Sequence, residues 1–471
     1  SKADILSYGM GEHSIVEIAD ALAEGKSVAE MYDIRGICYV TGKPPISDKT
    51  VVCPSYEEVR ADKAAFAKAF KMQYEEQDPF YGKTIIQPSE NRFVVQTPPA
   101  LPLSTEEMDA IYELPFQRRW HPDYDAAGGV PALQEVQFSL TSQRGCFGHC
   151  HFCAIASHQG RIIQHRSQES LVRETERMTK LPGFKGYIHD VGGPTANFRH
   201  VACQKQLTDG VCRNRHCIGS ETCQNLNTSH DDYLQLLRKI RHVKGVKKVF
   251  VRSGLRYDYV LADGNKEFVK ELCQYHVSGQ LKVAPEHVVK HVTDLMGKAD
   301  VNAFLTFKDW FDEANRELGK KQYLVPYFMS SHPGCTLKDA VALAEFLRDM
   351  HMQPEQVQDF IPTPGSLSTA MYYTGINPLT GQKVYVARRA EEKQMQRALM
   401  QYKNPANYDI VYKALCLAGR RDLIGYGPKC LIAPRRHQSQ SGRPLGSGRH
   451  GRSPVRSGQR RKDLNRTRKF R

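Results

Sequence analysis

Six apolar segments separated by helical patterns fill the middle of the chain. The strand candidates lie at 135–142, 185–191, 247–252, 280–284, 323–329 and 356–361. Helical spacing follows Asp231, Asp300 and the capping box that begins at Thr336. Strands that alternate with helices pair in parallel, since each helix carries the chain back to the same end of the sheet. The pattern predicts an α/β fold with a barrel-like parallel array. Pro326 in the fifth strand suits an edge position, as in an incompletely closed barrel.

The segments around this core are smaller. Residues 1–45 read as strand, helix and strand, with Ile15, Ile18 and Leu22 on one helical face, and resemble the closing portion of an α/β domain. A capping box at Ser55 predicts a helix that carries Val59, Phe66 and Phe70. Otherwise residues 46–130 are expected to form a helical and looping connection. The core spans 131–373, and 374–433 form a small helical C-terminal domain.

The net charge of +15 belongs to the C-terminal tail. From Arg435 to Arg471 there are 13 Lys/Arg against the single acid Asp463, so the tail carries +12 and the other 434 residues only +3. Residues 434–471 offer almost nothing to bury and are expected to be disordered. Nucleic acid is one partner that such a tail could bind, but phosphate attraction alone assigns it no function.

Cysteine usage indicates a reducing compartment. The chain has 13 cysteines, an odd number, and seven of them lie between Cys146 and Cys223. Such clustering is typical of metal sites rather than of a secreted disulfide scaffold. No apolar run approaches the roughly 18 residues of a membrane span. The sequence therefore predicts a cytoplasmic protein with no membrane partner. Its first residue is not Met, so we expect a processed or truncated product.

Three closely spaced cysteines carry the clearest chemical signal. Cys146, Cys150 and Cys153 stand in C-x3-C-x2-C spacing, and thiolates suit iron–sulfur clusters. With three cysteines, a 4Fe-4S cluster has one iron without a protein thiolate, and such an open position allows a metal to act on a ligand. A zinc knuckle or three unconnected buried thiols are the alternatives.

Unusual residues follow several of the predicted strands, where the loops of a parallel barrel form its site. Gly192 and Gly193 follow the second strand and allow close approach of a ligand, although a plain turn explains them as well. Arg252 and Ser253 follow the third strand, and Glu286 the fourth.

A second group of cysteines lies in the longest loop, about 192–230. Its members are Cys203, Cys212, Cys217 and Cys223. Four thiols within 21 residues predict a second metal site, iron–sulfur or zinc. Their spacing matches neither paired C-x2-C zinc patterns nor a common ferredoxin run, so reduced structural thiols stay open.

Together these motifs resemble a known family. The run from Arg144 to Ile155 (RGCFGHCHFCAI), Asp190–Asn197 (DVGGPTAN), Lys282–His287 (KVAPEH) and Asp359–Gly365 (DFIPTPG) are similar to YgiQ-type radical S-adenosylmethionine (SAM) proteins. The resemblance covers most of residues 1–433. It implies a partial (β/α)6 TIM-like barrel of the radical SAM type, a small C-terminal domain, and a longer N-terminal domain of which 1–45 are a remnant.

The resemblance also implies cofactors and roles. Cys146, Cys150 and Cys153 would hold a 4Fe-4S cluster that reductively cleaves SAM to a 5′-deoxyadenosyl radical. Phe152 would pack near the adenine, and Gly192 and Gly193 near the methionine part. Arg252, Ser253 and Glu286 would make polar contacts to SAM. A flavodoxin- or ferredoxin-type reductant protein is the expected partner. Pro194 departs from the family pattern, which commonly has an acidic residue there.

The resemblance supplies neither a substrate nor a catalytic side chain beyond the cofactor contacts. Two other classes remain as alternatives. One is an iron–sulfur protein that only transfers electrons. The other is a zinc-stabilised module that binds nucleic acid through the second group of cysteines and the tail.

Overall fold

A computed structural model describes residues 3–213, 215–354 and 357–435. The chain divides into two units, residues 1–433 and 434–471. The tail predicted to be disordered thus lies, beyond residue 435, outside the described residues. Helices and strands alternate through the first unit, which confirms the mixed α/β class. Among the described residues, no helix combines the length and apolar character needed to cross a membrane.

The N-terminal region is built on a five-stranded sheet. Its strands and helices are β1 (Ile5–Ser7), α1 (Glu12–Ala23), β2 (Ile37–Thr41), β3 (Thr50–Val52), α2 (Tyr56–Ala61), α3 (Lys63–Glu75), β4 (Thr84–Ser89), β5 (Arg92–Gln96) and α4 (Thr105–Glu113). The strand order is β1-β2-β5-β4-β3, and only the β3–β4 pair is parallel. Ile37, Ile86 and Val95 form its buried core with Met31 from a short 3-10 turn.

Three expectations for this region differ from the structure. Residues 84–96 form the β4–β5 pair rather than a connection, because their alternating side chains complete the sheet begun by β1 and β2. The predicted helix after Ser55 breaks at Asp62, whose carboxylate caps α3 instead. Helix α1 is rotated from the predicted face: Ile15 and Leu22 are 58% and 56% exposed, while Ser14 and Ala21 are buried.

The described residues of the core form nine short strands. They are β6 (Ser139–Thr141), β7 (Gln143–Arg144), β8 (Gln164–His165), β9 (Tyr187–Ile188), β10 (Asp190–Gly192), β11 (Lys248–Val249), β12 (Gln280–Glu286), β13 (Tyr323–Ser330) and β14 (Gln358–Asp359). The first predicted strand, 135–142, is shorter than expected. Its start belongs to a helical turn in which Val136 is 59% exposed and has no strand to pair with, so pairing begins at Ser139.

Ten helices lie before, between and after these strands in the described part of the core. They are α5 (Leu133–Val136), α6 (Ile155–Gln159), α7 (Gln168–Thr179), α8 (Asp231–Arg241), α9 (Tyr257–Asp263), α10 (Lys266–Glu271), α11 (Lys290–Met296), α12 (Val301–Glu317), α13 (Leu337–Asp349) and α14 (Leu367–Thr374). Thr336 closes the capping box of α13, as predicted, and Asp300 caps α12. The apolar face of α12 buries Phe304, Phe307 and Phe311 completely. Helices α15 (Ala390–Met400) and α16 (Tyr408–Leu417) follow.

The principal strands of the core pair in parallel and in chain order. β6 pairs with β10, β9 with β11, β12 with β13, and β13 with β14. A parallel bridge between Leu255 and Val283 joins the third strand segment to the fourth. Pro326 pairs with Val283 of β12, and within the described residues β14 pairs with β13 at Met329 and Ser330. β13 therefore lies between β12 and β14 rather than at an edge, so the expected edge position is wrong. Pro326 precedes the β13 residues that pair with β14, so its missing N–H costs none of those ladder bonds.

Candidate metal centre

Two short antiparallel strands, each of two residues, close the loop that carries the first cysteine set. This set is defined as Cys146, Cys150 and Cys153. β7 and β8 pair antiparallel, and residues 145–163 between them form what we call the cysteine loop. Gly145 has a φ of +86°, and a Cβ there would lie 2.3 Å from the carbonyl oxygen of Ile162. Cys146 N–H donates to Gly160 O at 3.1 Å. Only glycine allows the chain to turn this tightly at the base of the loop.

The three thiols are near neighbours within the loop. Burial raises the pKa of Cys146 and raises that of Cys153 to about 11; Cys150 adds to both shifts, and Cys146 adds to that of Cys153. Among the described residues, no three His, Cys, Asp or Glu side chains converge on one metal ion. Binding of either a zinc ion or an iron–sulfur cluster would require the thiolates to converge further.

A buried arginine contacts the first cysteine set. Arg256, 6% exposed, donates from Nη1 to Cys150 Sγ at 3.4 Å and from Nε to Asp258 Oδ1 at 2.7 Å. Burial opposes the charge of the guanidinium, but the Asp258 carboxylate and the Cys150 thiolate outweigh it and raise the pKa of Arg256. The site therefore contains a permanent, buried positive charge.

The loop after β10 reaches the cysteine loop from the other side. Thr195 Oγ1 lies 3.8 Å from Cys146 Sγ. Gln143 Nε2 donates to Thr195 O at 2.9 Å and so fixes this loop to β7. The second strand's loop and the three-cysteine loop, which the sequence predicted to share a site, are thus in contact.

Gly192 and Gly193 are required by packing. A Cβ on Gly192 would lie 2.8 Å from Ser253 Oγ, and one on Gly193 would lie 2.4 Å from the carbonyl oxygen of Gln143. These distances are shorter than a Cβ tolerates. Because Gly192 and Gly193 have no side chains, β10 can lie close to Ser253 and Gln143. Packing is therefore a reason for the glycine pair in addition to the predicted contact with a ligand.

Two cavities adjoin the cysteine loop, and Ile155 lines both. The Glu286 cavity has a volume of about 600 Å³ and is lined among others by Phe152, Cys153, Ala284, Glu286, Tyr327 and Met329. The Gly192 cavity has a volume of about 680 Å³ and is lined among others by Thr141, Arg144, Gly192, Gly193, Arg252 and Ser253. All six predicted cofactor contacts therefore line one or the other cavity.

Glu286 is held in an unusual backbone conformation. The register of the β12–β13 pair shifts between Val283 and Glu286, and Glu286 has a φ of +68°. Burial raises the pKa of the Glu286 carboxyl, while the cations of Lys298 and Arg256 lower it. Strained residues with perturbed acidity cluster at functional sites, because the surrounding fold must hold them in place.

The second cysteine set, defined as Cys203, Cys212, Cys217 and Cys223, packs beside the first. Burial raises the pKa of Cys217 to about 11, and the other three thiols of the set are close enough to affect it. Cys217, Cys223 and Cys146 all contact one buried cluster that contains the stacked rings of Phe147 and Phe198. Cys212 is exposed. The two sets thus flank one aromatic cluster.

Sequence reasoning missed the residues that position the site. Arg256 and Asp258 were not singled out, because a buried ion pair has no local sequence signature. Asp190 was noted only as the start of a loop, yet its carboxylate accepts from Arg252 N–H at 2.7 Å and Ser253 N–H at 3.0 Å. Its position at a strand end, beside a glycine pair, was the available signal.

Two family models match the chain. One is described as Radical SAM N-terminal and matches residues 1–139. The other is a domain of unknown function, DUF3362, and matches residues 355–469. Among solved structures, the chain is similar to the radical SAM methyltransferase TsrM from Kitasatospora setae, at 12% identity and a TM-score of 0.42 over 94% of this chain and 72% of that one. Methylornithine synthase (PylB) gives 10% identity and a TM-score of 0.31 over 64% of this chain and 74% of that one.

Curated relatives are much more similar. A UPF0313 protein of Clostridium perfringens is 55% identical over 433 residues, which are 92% of this chain and 65% of that protein. A UPF0313 protein of Clostridium botulinum is 54% identical over 92% of this chain and 68% of that protein. The chain thus spans about two thirds of the length of these relatives. It belongs to the UPF0313 family of YgiQ-type radical SAM proteins.

Proposed function

We propose that the chain is a radical SAM enzyme whose 4Fe-4S cluster is bound by Cys146, Cys150 and Cys153. The observation that carries the proposal is the arrangement of the first cysteine set, with three neighbouring thiols, a buried cation and two cavities that share Ile155. Soft thiolates are the ligands that iron–sulfur clusters use, and three of them leave one iron open.

The residues beside the thiols fit a bound group. Arg256 Nη2 and Asp258 Oδ2 are buried and, among the described residues, have no hydrogen-bond partner. Buried polar atoms in native proteins are nearly always paired. A cluster or a cofactor with acceptor atoms in this position would satisfy the arginine.

When bound, the cluster and SAM supply a one-electron cleavage that yields a radical able to take a hydrogen atom from a substrate. The protein itself binds the cluster and SAM, orients them and shields them from water. Phe152 covers one side of the Glu286 cavity, where it offers an aromatic face for an adenine. Glu286 presents its carboxylate in the same cavity.

Arg252 and Ser253 are the candidates for polar contacts in the Gly192 cavity. Asp190 holds both through their backbone N–H groups, so their positions are fixed by the strand end. Pro194 leaves no acid directly after the glycines. We propose that the glycine carbonyl groups, with Asp190 as the nearest acid along the chain, meet the amino group of SAM.

For the fold, we propose that the six parallel strand segments form the wall of a partial (β/α)6 barrel, open between its first and last strands. The parallel pairing in chain order supports this. Helices α15 and α16 would form the small C-terminal helical domain of residues 374–433. The cavities lie beyond the carboxyl ends of several strands, which is where parallel barrels carry their sites.

We also propose that the second cysteine set binds its own metal, as iron–sulfur or zinc. The proximity of its four thiols supports a shared ligand set. All thirteen cysteines are free thiols, as a cytoplasmic location would require. The proposed enzyme needs an external electron donor, and a flavodoxin- or ferredoxin-type protein is the expected partner.

Anaerobic reconstitution tests the proposal. Wild-type protein should bind iron and sulfide at the first set and form 5′-deoxyadenosine from SAM with dithionite. A Cys146→Ala/Cys150→Ala/Cys153→Ala variant should bind no iron or sulfide at the first set and form no 5′-deoxyadenosine. Cys416→Ala, outside both sets, should match wild type in both measurements. Retention of SAM cleavage by the triple variant would contradict the proposal. An iron-loaded wild type without the product would favour simple electron transfer.

A further inference from the structure

Arg256 has more hydrogen-bonding capacity than its protein partners use. Its guanidinium carries five N–H donors in a rigid fork. Nε is paired with Asp258 and Nη1 with Cys150 Sγ, while Nη2 is buried and, in the described part of the chain, lacks an acceptor. The unused donor is on the same planar group that touches the thiol of the first cysteine set.

The fold fixes this guanidinium from several sides. Asn197 Oδ1 accepts from Arg256 N–H at 2.9 Å, and Asn197 Nδ2 donates to Arg256 O at 3.2 Å. Gly148, inside the cysteine loop, leaves the space that the guanidinium occupies. A Cβ on Gly148 would lie 2.6 Å from Arg256 Nη1. The backbone hydrogen bonds to Asn197, the ion pair with Asp258 and the space at Gly148 therefore hold the guanidinium in one position.

A positive charge fixed beside a redox centre changes the equilibrium for electron uptake. Reduction adds one negative charge to a cluster, and a buried cation with free donors stabilises that charge. Hydrogen bonds to the sulfurs and the net charge nearby are the protein's means of setting the potential of an iron–sulfur cluster. A surface arginine would be screened by solvent, whereas Arg256 is not.

We propose that Arg256 is a positioning residue that raises the reduction potential of the cluster bound by Cys146, Cys150 and Cys153. This inference rests on the proposed function. The electron comes from the external reductant, and Arg256 itself is neither oxidised nor reduced. Asp258 holds the guanidinium against Cys150, and Gly148 makes room for it.

Potentiometric EPR titration of the reconstituted holoprotein tests this inference. Arg256→Met should retain the iron of the first set and shift its midpoint potential to a more negative value. Arg256→Lys, which keeps the charge but loses the fork, should give a smaller shift in the same direction. Arg238→Met removes a half-exposed arginine of an ion pair with Glu271 and should leave the potential unchanged. A wild-type potential in an iron-loaded Arg256→Met protein would overturn the inference.

Two further variants keep the test decisive if Arg256→Met folds poorly. Arg256→Met/Asp258→Asn removes the unpaired buried carboxylate together with the cation, and it should also shift the potential negatively. Gly148→Ala displaces the guanidinium without changing any charge and should shift it in the same direction. An unchanged potential in both variants overturns the inference. Loss of iron from Arg256→Met, Arg256→Met/Asp258→Asn and Gly148→Ala alike also overturns it, because Arg256 would then be needed for assembly of the cluster. If wild-type protein itself binds no cluster, the proposed function fails first.

Discussion

The carboxylate of Asp190 accepts a hydrogen bond from the backbone N–H of Arg252 at 2.7 Å. The same oxygen accepts from Ser253 N–H at 3.0 Å, and the second oxygen accepts from the Ser253 hydroxyl. One side chain at the start of β10 thereby fixes the turn after β11. Two of the candidate cofactor contacts depend on this single carboxylate for their position.

Asp190→Ala should destabilise the protein and weaken SAM binding. Three donors lose their acceptor, and because one is exposed and two are half-buried, each hydrogen bond is expected to contribute about 0.5–1.5 kcal/mol. Urea denaturation measures the loss, and equilibrium binding of SAM to the reconstituted protein measures the second effect. Glu135→Ala is the matched control, because the exposed Glu135 carboxylate meets the Arg252 side chain at 3.6 Å and is worth at most about 1 kcal/mol. Equal effects of the two substitutions would contradict this role for Asp190.

Gly145→Ala should disrupt the cysteine loop. The left-handed backbone costs a non-glycine residue about 1–2 kcal/mol, and the clash with Ile162 O adds to that. The expected result is a lower unfolding midpoint together with loss of iron after reconstitution. Gly128→Ala provides the comparison: Gly128 has a φ of +84° but nothing within 4 Å of an added Cβ. The Gly128→Ala protein should lose only the stability that the left-handed backbone conformation costs, and it should retain its iron. Full iron in the Gly145→Ala protein would show that the tight turn is not needed.

The sequence was sufficient for local features and insufficient for long-range ones. The capping box at Thr336 was predicted correctly, because capping depends on neighbouring residues. The β4–β5 pair at 84–96 was missed, since its place in the sheet depends on pairing with the distant strands β2 and β3. Arg256 was missed for the same reason, because 106 residues separate it from Cys150. The cysteines were found because their spacing is local.

Cys217→Ser should remove metal from the second cysteine set and leave the first set loaded. Cys217 is the member whose pKa responds to all three other thiols, so its loss should affect the set most. Elemental analysis before and after reconstitution measures iron and zinc per chain. Cys430→Ser, a partly buried thiol outside both sets, is the control. Unchanged metal content in Cys217→Ser would support reduced structural thiols instead.

The protein should lose stability as the pH falls from 6.5 towards 4. Burial lowers the pKa of His276 to about 4, although its Nδ1–H donates to Val249 O at 2.9 Å. Between the two values the unfolded chain binds a proton that the native state does not, so unfolding becomes easier by about 1.4 kcal/mol per pH unit for this histidine. Burial lowers the pKa of His287 to about 4 as well, which adds to the trend.

His276→Gln separates this contribution from the rest. Between pH 6.5 and 4, the slope of the unfolding free energy against pH should be smaller in the variant by about 1.4 kcal/mol per pH unit, which corresponds to one proton. Above pH 7 the slopes of wild type and variant should coincide. Denaturant titrations at several pH values provide the measurement. Equal slopes throughout the acidic range would contradict the assignment to His276.

EPR spectroscopy of the dithionite-reduced protein, with and without SAM, tests the central claim most directly. In a Cys217→Ser background the signal from the first set is observed alone. We predict that SAM changes this signal, because it binds the iron that lacks a protein thiolate, and that 5′-deoxyadenosine accumulates. A cluster signal that SAM leaves unchanged, without that product, would contradict the account.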